Sequence, residues 1–138
     1  MTTDTYTKLE PEPTHESKPY WDGLNEGRLL LQKCTGCGKI RHYPRPLCDA
    51  CHSFDVSWIE ASGRGKVHSW TITHHPFHFA YKAELPYTLV TVDLDEGVRM
   101  QAQLRAPKDT AIRIGLPVHV TFERVKADLT LPAFASEG

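Results

Sequence analysis

The residues best placed to do chemistry are the chain's four cysteines, set as Cys34-Thr35-Gly36-Cys37 and Cys48-Asp49-Ala50-Cys51. Each C-x2-C hook holds two thiolates one tight turn apart, which is one edge of a tetrahedral metal site. Two hooks complete the tetrahedron, and an all-sulfur set suits Zn²⁺ or a single iron. Gly36 and Gly38 fit such knuckles, because glycine reaches positive φ without a Cβ clash. His52 takes the Gly38 position in the second hook and is among the residue types tolerated there. Two disulfides are the alternative. The polar N-terminus reads as no secretory signal, and the short paired spacing favours metal. Four thiolates leave no open coordination position, so Cys34, Cys37, Cys48 and Cys51 are expected to hold a structural ion. Zn²⁺ is preferred to iron because nothing suggests a redox role.

The other reactive-looking stretch is His74-His75-Pro76-Phe77-His78-Phe79-Ala80-Tyr81-Lys82. Adjacent His74 and His75 diverge in extended chain, and no carboxylate completes a ligand set, so a second metal is disfavoured. Its aromatics either cover a core or offer apolar surface to a partner or an acyl chain. Lys33, Lys39, Arg41 and Arg45 make the cysteine region locally basic, as a solvated face or as a site for a phosphate-bearing ligand. No cysteine is left for nucleophilic work, and neither a Gly-x-Ser-x-Gly elbow nor a phosphate-cradling glycine loop occurs. No catalytic residue is assigned.

The elements that must position these residues are short. The chain has 138 residues, 10 prolines and 9 glycines, and 16 basic against 17 acidic groups. That permits one modest domain with many turns, without the basic excess of a nucleic-acid binder or an apolar run long enough to span a bilayer. Residues 1–16 read as a flexible tail. Ser17 to Gly27 reads as a short helix, with Pro19 in its first turn and Gly27 at its end. Tyr20 and Trp21 would dock either on the chain's own core or on a partner. Two strands flank the first hook, and helix and ribbon together span 17–53.

From Phe54 the apolar period becomes two. Five strands are expected, over 55–60, 66–73, 86–94, 98–105 and 118–123, with a phase break at Arg124-Val125 that signals a bulge. They suggest a five-stranded OB-type barrel over 54–126, with 127–138 as a C-terminal tail. Mainly β with one short helix is the fold class.

Several longer runs bear on function together. Tyr20-Trp21-Asp22-Gly23-Leu24, Arg28-Leu29-Leu30-Leu31-Gln32-Lys33-Cys34, Pro44-Arg45-Pro46-Leu47-Cys48 and Ser62-Gly63-Arg64-Gly65 occur in that order, followed by Ser69-Trp70-Thr71, Val92-Asp93-Leu94-Asp95-Glu96-Gly97 and Ile114-Gly115-Leu116-Pro117-Val118. Over about Tyr20 to Val125 the chain resembles the family called domain of unknown function 35, a rubredoxin-like zinc ribbon fused to an OB-fold. The resemblance implies a cytoplasmic, non-catalytic accessory subunit of a thiolase-fold enzyme (thiolase, acyltransferase or aldolase) acting on CoA thioesters. It implies a hetero-oligomer in which this chain stabilises its partner and helps shape the acyl-CoA site. Tyr20, Trp21, Arg45, Phe77, Phe79, Tyr81 and Lys82 are the candidates for contact with partner or acyl-CoA. The alternative is a single-stranded nucleic-acid module, which the near-zero charge disfavours. An independent thioesterase lacks its nucleophile.

Overall fold

The computed structural model describes residues 10–136, apart from 77 and 108. Helix α1 spans Lys18–Asn25 and has Pro19 in its first turn. Ser17 precedes it but makes no side-chain cap bond to the helix; its Oγ instead accepts from Thr14 N at 2.8 Å. The helix stops in a Schellman turn, in which Arg28 N donates to Gly23 O (2.8 Å) and Gly27 N to Leu24 O (3.0 Å). Gly27 has the φ of +76° that this turn requires. Gly23 serves closeness: a Cβ there would lie 2.8 Å from Leu30 Cγ.

Strands β1 (Leu30–Cys34), β2 (Ile40–Arg41) and β3 (Val56–Glu60) form an antiparallel sheet ordered β2-β1-β3. Five more strands close a barrel: β4 (Arg64–Thr73), β5 (Tyr87–Leu94), β6 (Arg99–Arg105), β7 (Pro117–Lys126) and β8 (Leu129–Ser136), in the order β4-β5-β6-β8-β7. That is the OB order. The seam between β4 and β7 runs only over Arg64–Lys66. At Gly65 an added Cβ would sit 2.5 Å from Asp93 O, so the hairpin partner's backbone fills that space.

Two expectations need correction. The 55–60 strand is not in the barrel: as β3 it pairs along β1, from Leu30 opposite Glu60 to Cys34 opposite Val56. The 127–138 segment is not a tail as far as residue 136, because β8 pairs with β7 and runs parallel to β6 at Leu104 and Phe134. Phe134 is wholly buried in the barrel, which gives that segment its reason to order. The expected bulge is present between Arg124 and Lys126. The expected N-terminal tail lies outside the described residues up to residue 9. Beyond that it follows the barrel, with Glu10 meeting Lys126 Nζ at 2.8 Å.

One core joins these parts. Val67, Val90, Val92, Met100, Val118 and Phe134 fill the barrel, and Tyr20, Leu24, Leu29 and Leu31 continue the same cluster into helix and ribbon. Asn25 ties the helix to the β7–β8 hairpin, donating to Asp128 O (3.1 Å) and accepting from Arg124 Nη2 on its own carbonyl (2.8 Å).

Candidate metal centre and docking faces

The two hooks are built alike. Gly38 N donates to Cys34 O (2.8 Å) and His52 N to Cys48 O (2.9 Å), while Cys34 N donates to Lys39 O (2.8 Å) and Cys48 N to Ser53 O (3.0 Å). Gly38 and His52 adopt the matching positive φ of 82° and 64°. Gly36 differs from expectation: it makes room, since a Cβ would lie 3.3 Å from Cys51 Sγ.

The four sulfurs lie within 4.8 Å of one another, with Cys34 to Cys51 at 3.5 Å and Cys37 to Cys48 at 3.7 Å. A tetrahedron with Zn–S of about 2.3 Å has S···S edges of about 3.8 Å, so the donor set fits. All four cysteines are free thiols. The amides of Cys51 and Ala50 pull the Cys48 thiol down to about 6. The amide of Cys37 lowers Cys34 as well. Thiolate is the form that binds metal. Cys34 and Cys48 are buried and Cys37 and Cys51 exposed, which gives one inner and one outer sulfur per hook. Lys39 Nζ pairs with Asp49 Oδ1 at 2.6 Å beside them, and Asp49, then Cys48 and Cys37, raise its pKa.

The candidate contact residues separate. Tyr20 is 2% exposed and belongs to the core, so it is not a partner-facing anchor. Burial pushes its hydroxyl pKa well above the usual phenol range. Trp21 packs edge-on to Tyr20, with ring centroids 5.1 Å apart, and donates its Nε1–H to Tyr43 Oη at 2.8 Å. Phe77 lies outside the described residues. Phe79 opens a 3-10 turn, Phe79–Glu84, stacks on His78 at 4.6 Å and is 78% exposed. His78 Nδ1 accepts from Ala80 N at 3.1 Å, which fixes the start of that turn. Tyr81 is half-buried near Tyr87, and Lys82 is exposed. Arg45 sits away from this group, on the ribbon, where its backbone N donates to Gln32 Oε1 at 2.9 Å.

Trp70 and Ile72 were not singled out from the sequence. They stand opposite Val90 and Thr88, so they continue the barrel's inner face past the point where β7 stops covering β4. Trp70 is 38% and Ile72 48% exposed. The signal was there in Trp70-Thr71-Ile72: apolar residues in alternation on a strand longer than its β7 neighbour could pair. Beside them a cavity of about 710 Å³ opens at the barrel mouth, lined in part by Ile72, Leu85, Thr88, Leu104 and Ile112.

Residues 21–57 match the family model "ChsH2, rubredoxin-like zinc ribbon domain" and residues 58–123 match "ChsH2, C-terminal OB-fold domain". A "DUF35 domain-containing scaffold protein" of Methanocaldococcus jannaschii is 31% identical over 111 residues, 78% of this chain and 77% of that protein. The chain belongs to the DUF35 family. Among solved structures, a chain of the "Ltp2-ChsH2(DUF35) aldolase" superposes with a TM-score of 0.83 at 35% identity, over 94% of this DUF35 chain and 100% of that one. A "Probable enoyl-CoA hydratase alpha subunit" of Thermomonospora curvata is 38% identical over 91% of this chain. The DUF35 chain spans only 40% of that subunit's length. No helix among the described residues is long and apolar enough to cross a membrane.

Proposed function

We propose that this DUF35 chain is a non-catalytic accessory subunit that docks onto a thiolase-fold enzyme acting on CoA thioesters. It stabilises that enzyme and helps shape its acyl-CoA site. The observation that carries the reading is the full-length match to the DUF35 chain of an aldolase assembly. The exposed apolar residues Trp70 and Ile72 on β4, together with Phe79 in the 3-10 turn, support it, because a permanent partner covers such surface. Arg45 on the ribbon and Lys82 in the 3-10 turn are separate cations offered to coenzyme phosphates or to the partner, and Trp21 and Tyr81 are aromatic contacts offered on the helix and in that turn.

Cys34, Cys37, Cys48 and Cys51 hold Zn²⁺ in this reading. The ion's role is to fix the ribbon, and cysteines used as metal ligands and not as disulfides fit the cytoplasm. The chain's contribution to catalysis is to bury apolar partner surface, exclude water there and narrow a channel.

The test is the partner's turnover of its acyl-CoA substrate with and without this chain, both produced in the same host. The expected result is an insoluble or weakly active partner when alone. Equal solubility and activity in the absence of the chain would overturn the proposal.

A further inference from the structure

The ribbon face turned away from the core holds a built slot that docking at the barrel mouth does not use. Leu31 of β1 points into the core, so Gln32 points the other way, yet Gln32 is only 1% exposed. Its Oε1 accepts from Arg41 Nε at 2.6 Å and from Arg45 N at 2.9 Å. Both partners are donors, which fixes the amide's orientation and leaves Nε2 as its donor end, in a side chain that lines the slot described next. Beside it Arg41 Nη1 is buried with no hydrogen-bond partner among the described residues, and an unpaired buried donor costs free energy, so this corner of the ribbon favours a bound acceptor.

Arg41, Gln32 and Trp58 stand in register across β2, β1 and β3. Over this row lies a slot of about 400 Å³, lined by Gln32, Arg45, Trp58, Phe54, Pro46 and Pro19. Its volume is that of a small-molecule site. Phe54 is 75% exposed, a large aromatic held open at the edge. Arg45 has no carboxylate partner among the described residues. The one acid at the rim, Glu16, is engaged by Thr14 Oγ1 at 2.6 Å.

Aromatic walls, one recessed donor and one free guanidinium match a flat ring that carries an acceptor and is linked to an anion. A polypeptide segment would call for a row of donors and acceptors instead. We propose that this slot binds an adenine nucleotide moiety. The ring lies against Phe54 and Trp58, a ring nitrogen accepts from Gln32 Nε2, and a phosphate meets Arg45. Coenzyme A and free adenine nucleotides share that chemistry. The inference deepens the acyl-CoA reading and rests on it for the choice of coenzyme A as a probe.

Calorimetric titration of the full metal-loaded chain tests it, with adenosine 3′,5′-bisphosphate, AMP, coenzyme A and pantetheine as probes. Saturable binding of the bisphosphate and of coenzyme A, with none of pantetheine, is expected. AMP binding as tight as coenzyme A would name free nucleotides as the source, and weaker AMP binding would name the coenzyme. Arg45→Glu and Phe54→Ala change exposed side chains and should each weaken binding by about tenfold or more, with circular dichroism and metal content unchanged. No saturation by any nucleotide up to about 5 mM would overturn the proposal. Binding insensitive to both variants would also overturn it, yet would leave coenzyme binding by the chain, and so the acyl-CoA reading, standing.

Discussion

His42 makes the stability of this chain depend on pH in a way that can be worked out. Its ring packs against Tyr20 and Tyr43, with centroids 5.3 and 5.7 Å away, and its Nδ1 has no hydrogen-bond partner. Burial therefore disfavours the imidazolium and pushes the pKa from 6.5 down to about 4. The unfolded chain takes up a proton near pH 6.5, whereas the folded chain resists until about pH 4. This contribution to stability is full above the unfolded pKa and is lost as pH falls through the interval. Between pH 7 and pH 5 the two titrations predict a loss of about 2 kcal/mol from this residue alone. His42→Phe keeps a ring in place but cannot titrate. Urea denaturation of both metal-loaded proteins at pH 7 and pH 5 isolates the effect, since the thiolates and other groups are common to both. Wild type should lose about 2 kcal/mol more than His42→Phe. Equal losses, or an NMR-measured pKa near 6.5 for His42 in the folded chain, would refute the reasoning.

Two further outcomes test the packing. Phe134→Ala removes a fully buried ring where β8 meets both β6 and β7, and should cost about 3–5 kcal/mol in denaturation; a loss below about 1 kcal/mol would mean that β8 does not close the barrel. Stripping the metal with a chelator should speed amide exchange through residues 34–55 and leave β5 and β6 protected. Between residues 35 and 55 only Arg41, Pro44 and Cys48 are buried, too few to hold the knuckles without the ion. Uniform exchange over the whole chain would contradict this.

Local chemistry was legible in the sequence, and pairing between distant strands was not. The hooks announced both the cysteine cluster and the left-handed His52, because spacing and turn residues are local properties. β6 was equally plain, with Met100 and Ala102 facing in and Arg99 and Gln101 out. β8 was hidden because Pro132 argues against a strand and its burial follows no period of two. β3 was misplaced because nothing in Val56–Glu60 says which sheet will pair with it. Tyr20 and Trp21 look equally good as anchors on paper, and only packing makes one core and leaves the other half-buried against it. Gln32 was passed over directly after the apolar run Leu29-Leu30-Leu31. Its neighbour Lys33 is polar too, so nothing local marked Gln32 as covered; only the packing of Arg41 and Arg45 against it does.

The central claim is that this DUF35 chain works as a subunit of a thiolase-fold enzyme. It is tested most directly by gentle affinity purification from the native cells, with mass spectrometry of what co-purifies. The account predicts one thiolase-fold protein in stoichiometric amount, released when Trp70 and Ile72 are changed to glutamate. Recovery of the chain with nucleic acid, or with no stoichiometric protein, would contradict it.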